Sequence, residues 1–222
     1  NLFTPYGCPV TGAVKGSLFA AQENQYSAEI LMSHHLLKLT DEELSRFGML
    51  ILPNVPVIED EVKAKLLAYA QNGGTLALWG PDTVRLFADE LGVSGETSEA
   101  EVIYVESDGA FAPIKQRYLR LSGVSETGFG LLKSDMGERI SLSFEKPFGK
   151  GKLQAVAFDL GRAYEKEPSV VLRRFAQRQL AGFAGKAMRV YGSHLVMPLW
   201  MEKNGRSYVN LLNLGGAHMD ER

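Results

Sequence analysis

Residues 47–80, FGMLILPNVPVIEDEVKAKLLAYAQNGGTLALWG, place one helical pattern between two apolar runs. Met49–Leu52 and Thr75–Trp79 lack polar alternation, which is typical of parallel strands covered on both faces. Between them, residues from about Glu59 to Gln71 carry apolar side chains on one helical face, and Gly73 can end that helix. Parallel strands need such a crossover. We therefore predict an α/β fold with an open, mostly parallel sheet flanked by helices.

The N-terminal half contains further local signals. We predict a helix over Ala13–Asn24 and a short strand over Tyr26–Met32. Thr40-Asp-Glu-Glu43 has the pattern of a capping box, in which the threonine hydroxyl and the glutamate carboxylate satisfy each other's backbone amides. After the second strand, the sequence predicts a helix over Thr83–Leu91 with Asp82 as its N-cap.

The C-terminal half changes to short alternating segments. The sequence predicts strands at Val102–Glu106, Arg117–Leu121, Ile140–Phe144 and Leu153–Phe158. A glycine-rich hairpin turn joins the last two, and a helix is expected from Pro168 to about Phe183. Asn204-Gly205, between two apolar runs, predicts a second hairpin. We assign residues 1–185 to the α/β domain and residues 186–222 to the truncated beginning of a C-terminal β domain.

Composition excludes several partners. The 222 residues carry a formal net charge of −2, which gives no concentrated basic field for nucleic acid. We see neither an apolar run of membrane-spanning length nor a leader, so we expect a cytoplasmic protein with no membrane partner. The single cysteine, Cys8, excludes an intrachain disulfide. Both ends of the sequence suggest missing flanking segments.

Three stretches together resemble a known family. They are FGMLILPNVPVIEDEVKAKLLAYAQNGGTLALWG, FGKGKLQAVAFDLGRAY and YVNLLNLGGAH. The first resembles the middle, trimerising domain of the β-galactosidases whose catalytic domain is a (β/α)₈ barrel, and more broadly the class I glutamine-amidotransferase-like, flavodoxin-like fold. The second is similar to the strand pair that closes such domains, and the third to the opening of the C-terminal β domain of related glycoside hydrolases.

The resemblance implies a carbohydrate-active parent enzyme. Its acid and nucleophile carboxylates would lie in an N-terminal barrel, and none of the residues here corresponds to that barrel. We therefore assign no catalytic residue to this chain. The resemblance also implies self-association, with a trimer as the expected state, and a carbohydrate substrate for the parent enzyme.

The turn after the second strand excludes amidotransferase chemistry. Active members of that superfamily place a cysteine in a G-x-C-x-G elbow at a helix N-terminus. Here the turn reads Gly80-Pro81-Asp82-Thr83 and holds no nucleophile. Cys8 has no preceding strand that could form an elbow. We predict no amidase activity.

Histidines and arginines give weaker signals. His34 and His35 are adjacent and cannot both easily reach one metal ion, and His194 and His218 are distant in sequence. We therefore predict surface histidines, no metal site and no cofactor. An arginine cluster, Arg173, Arg174 and Arg178, is expected to form a solvated face or an oligomer contact.

Three residues are candidates for ligand binding. Asp159 follows the strand Ala155–Phe158, at the edge where open α/β sheets bind ligands, although such an aspartate also commonly caps the next turn. Asp82 and Gly80 occupy the elbow after the preceding parallel strand. Two functions therefore stay open: a non-catalytic accessory and oligomerisation domain of a carbohydrate-active enzyme, or an amidotransferase-like module that binds a small ligand near Gly80 and Asp159.

Overall fold

The computed structural model describes residues 10–121, 124–132, 137–181, 190–191 and 195–213, with the backbone alone at 95–100 and 200. Its helices are α1 (Thr11–Glu23), α2 (Ser33–Leu36), α3 (Asp41–Ser45), α4 (Asp60–Gln71), α5 (Pro81–Leu86), α6 (Ala88–Leu91), α7 (Leu160–Lys166) and α8 (Val170–Leu180). Its strands are β1 (Met49–Pro53), β2 (Thr75–Trp79), β3 (Gly95–Ser107), β4 (Ala110–Leu121), β5 (Glu126–Leu132), β6 (Arg139–Phe148), β7 (Gly151–Val156), β8 (Val196–Lys203) and β9 (Arg206–Asn213).

The predicted βαβ unit is confirmed. β1 and β2 pair in parallel, with Met49 opposite Thr75, and α4 crosses between them. Val62, Leu66 and Ala70 form the buried face of α4. The predicted α/β class, with helices flanking an open sheet and a small β element after it, is therefore also confirmed.

Seven strands form the main sheet in the order β1-β2-β7-β6-β5-β3-β4. Only the β1, β2 and β7 pairings are parallel, and the remaining four pairings are antiparallel. The sheet is thus mixed, and the expected parallel pairing is confined to one half. The reason lies in tight turns such as Asp108-Gly109 and Gly149-Lys150, because so short a connection can join only antiparallel strands.

Strand β2 explains why both faces of the sheet are covered. Its five residues are all buried, and successive side chains point to opposite faces. Leu76 and Leu78 belong to the core on the α4 side, whereas Ala77 and Trp79 belong to the core beneath α1, α7 and α8. An apolar run without alternation is therefore the sequence signature of a strand between two helical layers.

Helix α1 packs closely against α7, which the sequence analysis did not predict. A Cβ added to Gly16 would lie 1.7 Å from the carbonyl oxygen of Gly161, so the two backbones touch at a point where no side chain fits. This contact fixes α7 on the sheet directly after β7. It therefore fixes the residues that join β7 to α7.

The predicted strand Tyr26–Met32 is wrong. These residues are not part of any helix or strand and pair with no strand in the described part of the chain. An apolar cavity of about 640 Å³, lined by residues 26–31 and by Met49–Ile51, separates them from the edge strand β1. Without a neighbouring strand to pair with, an apolar stretch does not become a strand.

Two local predictions are confirmed. The backbone amide of Glu43 donates to Thr40 Oγ1 at 3.2 Å, and the amide of Thr40 donates to Glu43 Oε2 at 2.8 Å, which completes the capping box. Asn204-Gly205, both with positive φ, joins β8 and β9 as a hairpin. The proposed domain boundary at residue 186 lies outside the described residues and stays a prediction.

Candidate functional site

A polar cavity of about 390 Å³ lies where β1, β2 and β7 end. Asn54 follows β1, Pro81 and Asp82 follow β2, and Asp159 follows β7, and all four line the cavity. The carboxyl ends of parallel strands are where open α/β sheets place ligands. The structure thus brings two of the three predicted site residues, Asp82 and Asp159, to one cavity.

The start of α5 explains the position of Asp82. Gly80 occupies the N-cap position without a capping side chain, and Pro81 comes first in the helix and has no N–H. The amides of Asp82 and Thr83 are then the first that need an acceptor. Asn54 Oδ1 accepts from both, at 3.0 and 3.4 Å. The prediction that Asp82 is the N-cap is therefore wrong, because Asn54 supplies the cap from another loop.

Gly80 does not line the cavity but sets its geometry. Its φ of 141° and ψ of 155° lie in a region that side chains strongly disfavour, and an added Cβ would lie 2.4 Å from Asn54 Cβ. Its amide donates to the carbonyl oxygen of Val156 at 3.0 Å, which holds the end of β2 against the end of β7. Gly80 is thus a positioning residue for the turn.

Thr83 fixes the loop after β1 to the same turn. Its buried hydroxyl donates to the carbonyl oxygen of Pro53 at 2.7 Å and accepts from the amide of Val55 at 2.8 Å. The hydroxyl therefore both donates to and accepts from backbone groups, so it is not available as a nucleophile. The elbow residues Gly80–Thr83 therefore present no unengaged hydroxyl and no thiol.

The far edge of the sheet supplies the opposite wall of the cavity. The end of β4 returns to the chain after β7, where the amide of Leu119 donates to the carbonyl oxygen of Ala157 at 2.8 Å and Tyr118 bridges Phe158. This closure brings Lys115, Gln116 and Arg117 to the cavity. No pattern in the sequence indicates these residues, because only the curvature of the sheet places β4 beside β7.

Asp82 forms an ion pair across the cavity. Asp82 Oδ2 accepts from Arg117 Nη2 at 3.2 Å and from Asn54 Nδ2 at 3.1 Å. Within the described part of the chain, Asp82 Oδ1 accepts no hydrogen bond. Asp82 and Arg117 form the first carboxylate–guanidinium pair of the site.

Asp159 and Arg162 form the second carboxylate–guanidinium pair. Asp159 is only 7% exposed, and its Oδ1 accepts from the amide of Arg162 at 2.8 Å, which caps α7. Arg162 Nε lies 3.7 Å from Asp159 Oδ2. Burial raises the pKa of Asp159 to about 6, against the lowering effect of the Arg162 amide and guanidinium. The negative charge of nearby Asp82 raises that pKa further.

The other sequence candidates lie elsewhere. His34 and His35 are exposed on α2, as predicted, and the described residues contain no group of three histidine, cysteine, aspartate or glutamate side chains able to hold a metal ion. Cys8, His194 and His218 lie outside the described residues. Among the helices that the structure describes, none has the length and apolar character of a membrane span.

Two arginines of the predicted cluster, Arg174 and Arg178, form ion pairs within the chain. Arg178 Nη2 donates to the carbonyl oxygen of Glu106 at 2.6 Å and lies 3.4 Å from its buried carboxylate. Arg174 Nη1 lies 3.5 Å from Asp108 Oδ2 in the β3–β4 turn. Both arginines therefore attach α8 to the β3–β4 hairpin, an internal role that the sequence analysis did not consider.

Comparison with known proteins supports the fold. No protein-family model matches the chain, and no curated protein matches it. A catalytic mutant of a GH42 β-galactosidase from G. stearothermophilus superposes with a TM-score of 0.62 at 15% identity, covering 96% of this chain and 32% of that chain. The exo-β-1,4-mannosidase Op5Man5 from Opitutaceae bacterium strain TAV5 gives 0.60 at 15% identity, covering 84% and 34%.

A smaller solved protein shares the same fold. A cytoplasmic protein from Salmonella typhimurium gives a TM-score of 0.53 at 12% identity, covering 77% of this chain and 86% of that chain. The present chain therefore spans about a third of the length of the two glycosidase chains but most of this smaller protein. At these identities the similarity shows that the α/β fold is shared.

Proposed function

We propose that the chain is a non-catalytic accessory and oligomerisation domain of a carbohydrate-active enzyme resembling the β-galactosidases. The observation that carries this proposal is the ratio of the two coverages, 96% of this chain against 32% of a GH42 β-galactosidase chain. The similarity is confined to about a third of the larger chain, which supports a role as one domain of a larger enzyme.

The chemistry of the elbow supports the same proposal. Proline follows Gly80, the Thr83 hydroxyl is bound on both sides, and the nearest carboxylates are paired with arginines. Such a site offers no activated nucleophile. In the proposed role the parent enzyme is cytoplasmic and trimeric, its glycosidic chemistry takes place in another domain, and its substrate is a carbohydrate.

Two measurements on the native source protein test the proposal. Intact mass gives the length of the parent chain, and light scattering gives its molar mass in solution. We expect a parent far heavier than 24.4 kDa that assembles as a trimer and hydrolyses aryl β-galactosides or related glycosides. A native mass near 24.4 kDa together with a monomer in solution would contradict the accessory role.

A second candidate function is a small-ligand-binding module without amidase activity. The polar cavity at the ends of β1, β2 and β7 favours it, since 390 Å³ falls within the range of small-molecule sites. Both functions can hold together, because a domain that assembles an enzyme can also bind a ligand. Ligand titration, described below, tests this second function independently of the oligomeric state.

A further inference from the structure

Hydrogen-bonding capacity remains unused in the polar cavity. Asp159 Oδ1 caps α7, whereas its Oδ2 accepts no hydrogen bond from the described residues and has only the Arg162 guanidinium, at 3.7 Å. Asp82 likewise uses Oδ2 alone. Each pair therefore has a carboxylate oxygen available to accept from a ligand.

The Asp82–Arg117 pair also provides donors. Arg117 has a half-exposed guanidinium, of which Nη2 binds Asp82, and a guanidinium carries five N–H groups. A group that both donates and accepts can therefore bind a carboxylate and its arginine together. Hydroxyl groups have this property, while simple anions only accept.

The charge of the inner cavity argues against an anionic ligand. Asp159 is buried, and its carboxylate faces the same cavity as that of Asp82. An anion approaching Arg117 or Arg162 would meet the carboxylate that each already binds. Lys115 and Lys166, which form no ion pair within the described ranges, are exposed in the lining, as is the carboxylate of Glu167.

We propose that this cavity binds a neutral polyhydroxylated ligand, a single sugar ring, through its two carboxylate–guanidinium pairs. Hydroxyls donate to Asp82 Oδ1 and Asp159 Oδ2 and accept from the Arg117 guanidinium. The apolar side chains in the lining, Val10, Pro56, Pro81 and Ala163, contact the C–H groups of the ring. The inference names the ligand class for the second candidate function and rests on it, but does not depend on the accessory role.

The test uses the whole 222-residue protein labelled at its alanine methyl groups. Ala163 lines the cavity, whereas Ala70 lies on the buried face of α4, away from the cavity, and serves as an internal reference. Methyl β-D-galactopyranoside is the neutral probe, and sodium acetate and inorganic phosphate are the anionic probes. We expect saturable shifts of the Ala163 methyl signal with the galactoside, in the millimolar range, and no shift of Ala70.

A matched pair of variants locates the site. Asp159→Asn keeps an oxygen that accepts from the Arg162 amide, so the cap survives while the charged acceptor is lost; we expect about tenfold weaker galactoside binding. Asp108→Asn makes the same change in the β3–β4 turn, outside the cavity lining, and should leave binding unchanged. Asparagine tolerates the positive φ of residue 108.

Each other outcome overturns the proposal in a recognisable way. Shifts with acetate or phosphate but not with the galactoside would show an anion site, which keeps the ligand-binding function and rejects the ligand class. No shift with any probe would reject the sugar site and the ligand-binding function together. Equal weakening by both variants would place the sugar outside the cavity.

Discussion

Asn54 and Asp82 bind each other twice across two loops. Asn54 Oδ1 accepts from the amide of Asp82 at 3.0 Å, and Asn54 Nδ2 donates to Asp82 Oδ2 at 3.1 Å. One side chain therefore caps α5 and orients the carboxylate that pairs with Arg117. The stability of the turn and the geometry of the cavity thus depend on the same residue.

Asn54→Ala should destabilise the protein and disorder the cavity. The variant leaves the amides of Asp82 and Thr83 without their acceptor, and loss of an N-cap side chain costs about 1–2 kcal/mol. The free energy of unfolding from urea denaturation measures the loss. Asn72→Ala, at the end of α4, removes an asparagine whose side chain caps no helix and should cost less. Equal losses in the two variants would contradict the capping role of Asn54.

Gly80→Ala should be more harmful than a glycine substitution at an open turn. Its backbone conformation costs a side chain about 1–3 kcal/mol, and the new methyl group would also overlap Asn54. Gly109→Ala supplies the control, because Gly109 has a φ of 77° but nothing within 4 Å of an added Cβ. We expect Gly109→Ala to be destabilised only by the strain of its backbone conformation. Thermal unfolding of both variants measures the difference, and equal melting temperatures would contradict the overlap.

The fold was predictable where local chemistry determines it. The run Leu76–Trp79 is apolar on both faces because two helical layers cover it, and Asn204-Gly205 can adopt the positive φ values of a tight hairpin. Asp108-Gly109 carries the same turn signal, and with it the long β3–β4 hairpin could have been predicted. Tyr26–Met32 has strand-like composition, but no strand in the described part of the chain pairs with it, and pairing between strands is not encoded locally.

The candidate site was predictable only in part. Asp82 and Asp159 each follow a parallel strand, so the rule for strand ends locates both. Arg117 comes from β4, at the other end of the strand order, and reaches the cavity because the sheet curls until Leu119 bonds to Ala157. No spacing in the sequence reports that curvature. The cap from Asn54 cannot be read from local sequence either, since it joins loops that are 28 residues apart.

Arg178→Met should destabilise the attachment of α8 to the β3–β4 hairpin. The variant leaves the carboxylate of Glu106, 9% exposed, without its cation and removes the donor to the Glu106 carbonyl oxygen. Loss of a hydrogen bond to a buried charged group costs about 2 kcal/mol. Arg174→Met breaks only the exposed pair with Asp108 and should cost less than about 1 kcal/mol. Chemical denaturation separates the two, and the reverse order would contradict the assignment.

Asp159→Asn should stabilise the protein at neutral pH and not in acid. The pKa of Asp159 is about 6 in the folded protein against an ordinary value of 3.8, so the folded state binds this proton more tightly than the unfolded state. Ionisation therefore penalises folding, by up to about 3 kcal/mol once the pH exceeds 6. The penalty fades as the pH falls from about 6 to about 4 and is absent below that range.

The asparagine variant avoids this penalty and keeps the cap on the Arg162 amide. The free energy of unfolding of the variant should therefore exceed that of the unsubstituted protein near pH 8, and the two values should converge near pH 4. Urea denaturation across this range measures the difference, and Asp108→Asn controls for the general loss of one exposed carboxylate. A difference that stays constant with pH, or that grows in acid, would show that burial does not disfavour the charged form of Asp159. The carboxylate of Asp159 would then be stabilised by its neighbours, and it would accept a hydrogen bond from a ligand hydroxyl less readily.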